Sequence, residues 1–121
     1  MNIAFDLDNT IDATPKQMQS LMSALMAAGH HIVVLTGTDD PVVDPIDWQA
    51  KADYLNSIGC GQCWNELVVQ SHAEPLDGPT VKAQYCRQHD VDVLIDNSKD
   101  NARAATAAGV PLVLVPWASR S

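Results

Sequence analysis

Basic charge is scarce in this chain: seven Lys and Arg stand against fifteen Asp and Glu, a net charge of −8. That balance leaves no basic track for a phosphate backbone and argues against a nucleic-acid partner. No apolar run approaches the ~20 residues of a membrane span, so no membrane partner is expected. The first strand candidate opens directly after Met1, which leaves no signal-peptide pattern and points to the cytoplasm. Three cysteines, an odd count, make no disulfide framework and suit a reducing compartment. Repeats, low-complexity tracts and linkers are also missing, so residues 1–121 are expected to form one domain.

What is present is alternation. Apolar, β-branched runs at Ile3–Leu7, Ile32–Leu35, Leu67–Val69, Val91–Ile95 and Val110–Val115 read as strands. Between the first two, Met18, Leu21, Met22, Leu25 and Met26 follow helical spacing and form one face for packing on a sheet. Thr14 suits the cap of that helix, Pro15 its first turn and Gly29 its end. Further helices are expected over Asp47–Ile58, with Trp48, Ala52 and Leu55 inward, from Pro79 to His89, with Val81 and Tyr85 inward, and over Ser98–Ala108. Strands alternating with helices imply βαβ units: an α/β, three-layer, Rossmann-like parallel sheet of about five strands with helices on both faces.

In such a sheet, ligands bind beyond the carboxyl ends of the strands. The first run ends in "DLDNT", with Asp6 and Asp8 two apart and therefore on one side of an extended strand. Two like charges held together are costly unless a cation or phosphate chemistry rewards them. The second run ends in Thr36-Gly37-Thr38 and the fourth in Asp96-Asn97, with Asp100 one helical turn on. Lys82, near the start of the helix before the fourth strand, reaches the same edge. Carboxylates, hydroxyls, backbone amides and a lysine thus converge on one rim, a cation site beside an oxyanion site.

The order of "FDLDNTI", "VVLTGT", "TVKAQY" and "VLIDNSKDN" resembles the haloacid dehalogenase-like (HAD) superfamily of phosphohydrolases. The resemblance implies that Asp6 is the nucleophile, forming an aspartyl-phosphate. It implies that Asp8 protonates the leaving oxygen, then activates water, while its main-chain carbonyl meets Mg²⁺. Thr36, Gly37 and Thr38 would hold the phosphoryl oxygens, Lys82 would neutralise them and Asp6, and Thr10 would orient the loop carrying Asp8. The metal set would be Asp6, Asp8, Asp96 and Asn97, with Asp100 a supporting acid near the substrate or Lys82. An acid at Asp8 favours phosphoryl transfer over dehalogenation, since dehalogenases of the superfamily lack it. Asn97 departs from the pattern, because many members carry a second acid there. An asparagine still offers a carbonyl oxygen, with one charge fewer.

The gaps between motifs leave no room for a cap domain, so the site is expected to be open, with loop 39–47 a candidate small lid. Its acids Asp39, Asp40, Asp44 and Asp47 would repel an anionic substrate, and a solvated loop is the simpler expectation. Cys60 and Cys63 have the C-x₂-C spacing of a zinc half-site, which His72, Cys86 or His89 would have to complete; buried structural thiols are the default. Trp64 and Trp117 are expected to pack, and His30 and His31 to face solvent. Three functions are consistent with this pattern: a magnesium-dependent phosphomonoester hydrolase acting on a phosphorylated substrate, a catalytically weak HAD-like binding or regulatory module, and a receiver-like switch. The last wants an acceptor aspartate after the third strand, and "ELVVQSH" has none.

Overall fold

The computed structural model describes residues 1–116; Trp117, expected to pack, lies outside the described residues. Five strands form one parallel sheet: β1 (Asn2–Phe5), β2 (His31–Thr38), β3 (Glu66–Ser71), β4 (Val93–Ile95) and β5 (Leu112–Leu114). Their order is β3-β2-β1-β4-β5, so the chain reverses direction across the sheet at β1. Four α-helices alternate with them: α1 (Pro15–Ala27), α2 (Pro45–Ser57), α3 (Gly78–Gln88) and α4 (Lys99–Ala107).

Strand alternation sorts the side chains into two cores. Ile3, Phe5, Ile32 and Val34 pack with Met18 and Met22 of α1 and Leu55 of α2. Ala4, Val33 and Leu35 face the other way, onto Tyr85 and Cys86 of α3 and Ala105 of α4. Helices therefore cover both faces, the arrangement that buries parallel strands on each side. The apolar stripe of α1 is narrower than its spacing suggests, since Leu21 is 44% exposed. Thr14 precedes α1 without a side-chain capping bond. At the other end Gly29 takes φ 91°, with Gly29 N–H donating to Met26 O and His30 N–H to Leu25 O, and the helix stops as expected. α2 begins at Pro45, two residues before the expected start, because Asp44 and Asp47 cap each other's backbone N–H at 3.0 Å.

Among the strand ends that differ from the apolar pattern, those of β1 and β2 shape the rim. β1 stops at Phe5, not Leu7: Asp8 stays extended, Asn9 takes φ 59°, and residues Leu7–Ile11 close a wide helical turn. Asparagine tolerates that left-handed conformation better than most residues. β2 runs past Leu35 to Thr38, because β3 pairs with it through Thr36, Gly37 and Thr38. No helix among the described residues is long and apolar enough to cross a membrane.

Candidate active site

Asp6 follows β1 directly, and its N–H donates to Ile95 O at 2.9 Å, extending the ladder by one residue. This puts Asp6 beside Asp96, the residue after β4, at the point where the strand order reverses. Between the two carboxylates lies the ammonium of Lys82, 2.7 Å from Asp6 Oδ1 and 2.9 Å from Asp96 Oδ2. Lys82 rises from α3 and is only 2% exposed, so its charge survives burial through these two partners alone. Burial pulls its pKa down, but Asp6 and Asp96 outweigh that and hold it above the usual lysine range. Burial lifts Asp6 to about 6, with Lys82 opposing the shift and Asp96 adding to it.

The second oxygen of Asp6 accepts from Thr10 Oγ1 at 3.0 Å, and Thr10 Oγ1 accepts from Asn97 N–H at 3.0 Å. Thr10 is fully buried and ties the turn after β1 to the end of β4. Asp8 and Asn9 project from that turn and are exposed. Asp6 and Asp8 do converge, although through the kinked turn and not through strand alternation. They line a cavity of about 460 Å³ together with Gly37, Thr38, Lys82 and Asn97.

Asp96, expected as a ligand, does not line the cavity. It is fully buried, its Oδ1 accepts from Ser98 N–H at 2.9 Å, and its Oδ2 accepts from Lys82 and from Asn101 at 3.0 Å. With both oxygens engaged it fixes Lys82 instead of facing the cavity. The structure does not bring Asp100 to the cluster: its carboxylate is 79% exposed and lies 3.9 Å from Arg103. Thr36 is fully buried, and its hydroxyl has no hydrogen-bond partner among the described residues. An orphaned donor one residue before Gly37 leaves capacity for an oxyanion at this edge.

The fit of a divalent cation can be judged from oxygen positions. In one orientation, Asn97 places its side-chain oxygen where the inward amide atom stands, 2.9 Å from Asp6 Oδ2 and 3.1 Å from Asp8 O. Adjacent ligands of an octahedral magnesium ion with bonds of ~2.1 Å are separated by about 3.0 Å. Asp6 and the Asp8 carbonyl each stand at about that spacing from Asn97, and an all-oxygen donor set suits a hard divalent cation.

Four further residues line the cavity that sequence reasoning did not assign to the site: Asn9, Lys51, His72 and Asn101. Asp39 also lines it, so the connection after β2 forms one wall and is not wholly a solvated loop. The ring of His72 lies over Gly37, where any Cβ would overlap it, and next to Gly78. Its Nε2 has no partner among the described residues, and burial, then Lys82, lowers its pKa. Only the tertiary pairing of β3 with β2 puts His72 there. Cys60 and Cys63 sit in the core under α1 and α2, whereas Cys86 sits in the opposite core. Among the described residues no three His, Cys, Asp or Glu cluster to hold a metal, so the zinc half-site gains no completing ligands.

No protein-family model matches this chain, and no curated protein sequence does. Solved structures do. The D,D-heptose 1.7-bisphosphate phosphatase from B. bronchiseptica, solved with magnesium and phosphate, superposes with a TM-score of 0.64 at 19% identity, covering 93% of this chain and 79% of that one. A universal stress protein from Archaeoglobus fulgidus gives 0.58 at 12% identity, covering 96% and 93%. A universal stress protein family member from Burkholderia pseudomallei gives 0.53 at 14%, covering 95% of each chain. Identities this low speak for architecture alone: the chain shares with all three an α/β fold, a parallel sheet flanked by helices.

Proposed function

We propose that this protein is a magnesium-dependent phosphomonoester hydrolase working through an aspartyl-phosphate on Asp6. The observation that carries this is the placement of Asp6: one oxygen is held by Lys82 at 2.7 Å and the other by Thr10 at 3.0 Å, while the residue lines a cavity shared with Asp8. A carboxylate fixed at both oxygens is oriented before substrate arrives, which lowers the entropic part of the barrier. Asp6 attacks phosphorus, the bond to the leaving oxygen breaks, and Asp8 gives that oxygen a proton. Asp8 then takes a proton from water, which attacks phosphorus; the bond to Asp6 breaks, the Asp6 carboxylate is restored and phosphate leaves.

Lys82 offsets repulsion between the Asp6 carboxylate and the anionic phosphoryl group. The Gly37 and Thr38 backbone and the unpaired Thr36 hydroxyl supply donors for its oxygens. Asp6, the Asp8 carbonyl and Asn97 would hold magnesium, which supplies charge neutralisation at the transferring oxygens. The substrate is a phosphate monoester, and with no cap between β2 and α3 the cavity accepts one borne on a large molecule. A cytoplasmic setting belongs to the same proposal, because the three cysteines are all buried free thiols. The competing function, a binding module with a weakened cation site, draws its support from Asn97 standing where a second acid would add a charge.

Hydrolysis of an aryl phosphate with and without Mg²⁺ tests this, with Asp6→Asn as control. Metal-dependent turnover that Asp6→Asn abolishes is expected, together with a phosphoryl mass on Asp6 after acid quench. Near-native turnover by Asp6→Asn would refute the nucleophile assignment. No turnover by the native chain, with Mg²⁺ binding intact, would favour the binding module.

A further inference from the structure

The Asn97 side chain spans the gap between Asp6 and Asp8, and its amide has two usable faces. In the orientation that satisfies its hydrogen bonds, the nitrogen points inward and donates to Asp8 O at 3.1 Å and Asp6 Oδ2 at 2.9 Å. The backbone of Asn97 is pinned separately, by its N–H on Thr10 Oγ1 at 3.0 Å. The terminal torsion of an asparagine is broad and two-fold, so nitrogen and oxygen exchange places without moving the backbone. Turned over, the side chain puts a third oxygen against two others. That is unfavourable with nothing between them and favourable around a cation.

We propose that the Asn97 amide is a built-in stand-in for the divalent cation: its N–H₂ ties Asp6 to the Asp8 carbonyl when no cation is bound, and it turns over to present its oxygen when one binds. This rests on the magnesium-dependent function proposed above. An aspartate at 97 could not act in this way. Having no hydrogens, it would add a second carboxylate against Asp6, binding a cation more tightly but leaving the empty site under repulsion. Asn97 instead keeps the rim in its working shape when empty and makes occupancy follow the free cation concentration.

Thermal melts in EDTA and across an MgCl₂ titration test this on the native chain, Asn97→Asp and Asn97→Ala. In EDTA both variants should melt lower than native by about 4–8 °C, the size expected for the loss of two hydrogen bonds to a buried carboxylate and carbonyl. Mg²⁺ should raise Asn97→Asp more steeply than native, with a midpoint concentration lower by about tenfold, since ligand charge sets cation affinity. In the ¹⁵N–¹H spectrum of the native chain, the side-chain N–H₂ pair absent from Asn97→Ala should be exchange-protected in EDTA and should shift when Mg²⁺ is added. Variants that melt with the native chain in EDTA would overturn the bridge. An N–H₂ pair unmoved by a Mg²⁺ concentration that stabilises the protein would overturn the turning-over. Absence of Mg²⁺ stabilisation in both native chain and Asn97→Asp would instead sink the cation site itself, and the inference with it. The EDTA melts distinguish that outcome, because the variants would still melt low.

Discussion

Replacing Lys82 by Met isolates the interaction on which the rim depends. Met keeps the unbranched stem but removes the ammonium, leaving Asp6 and Asp96 facing each other with side-chain exposures of 9% and 0%. At an effective dielectric of ~20, a charge pair at these separations attracts by about 6 kcal/mol before desolvation is charged against it. Removing one partner of such a buried pair costs about 3–5 kcal/mol, because the remaining charge keeps its burial and loses its compensation. With ~2.1 cal/mol/K of unfolding entropy per residue, a chain of 121 residues should then melt about 12–20 °C lower. A second substitution makes the cause identifiable. Asp6→Asn should cost little or destabilise slightly in the native background, where Lys82 still has Asp96, yet it should recover stability in Lys82→Met by removing one of two repelling carboxylates. Urea unfolding of the two single variants and the double variant reads this directly as a coupling free energy. A Lys82→Met loss below about 1 kcal/mol, or an Asp6→Asn effect of the same sign and size in both backgrounds, would refute the claim that Lys82 is held by charge.

Thr10→Val should lower stability by about 2 kcal/mol in urea unfolding, since it leaves Asp6 Oδ2 short of a donor and Asn97 N–H without an acceptor. Gly37→Ala should destabilise by about 1–3 kcal/mol and reduce aryl phosphate turnover, because its Cβ displaces the His72 ring from the cavity wall; native stability in this variant would place the ring elsewhere. Asp44→Ala should lower the Tm by a few degrees without changing turnover, because it removes the reciprocal cap of α2. Alkali should weaken the fold. Burial pushes Cys63 from 9.0 to about 12 and Cys86 to about 11, so the folded chain retains protons that the unfolded chain releases. The contribution is complete below pH 9 and declines as pH rises from there toward the folded values. Urea midpoints should therefore fall as pH rises above about 9, and Cys63→Ala should flatten that decline.

The alternation of β-branched runs with helical stripes announced the layered sheet, because burial on both faces leaves a mark at every strand. Strand ends left no such mark. Leu7 is as apolar as Phe5 and fully buried, yet it lies in the turn, because what ends β1 is the left-handed Asn9 and the packing of the turn behind it. Asp44 and Asp47 did carry a local signal, an acid at each end of a helix's first turn, and α2 starts two residues earlier than its apolar positions suggested.

The site shows the same division more sharply. Residues that must be of one chemical type in one chain order were legible as candidates: Asp6, Asp8, Lys82, Asn97 and the Gly37-Thr38 edge line one cavity. What each does within it depends on distances that no spacing encodes. Asp96 and Asn97 are neighbours in sequence at the end of the same strand, but alternation sends one carboxylate inward to Lys82 and the other side chain out over Asp6 and Asp8. A pair of adjacent residues therefore splits the work of an acidic pair. The buried Asp96 fixes the lysine at full charge, where an uncharged side chain would leave Lys82 with only Asp6. The outer position faces the cavity, where the proposed cation site would take an oxygen from an amide and the empty site a nitrogen toward two oxygens. On that logic the departure at Asn97 falls at the one position of the pair where losing a charge leaves the buried network whole.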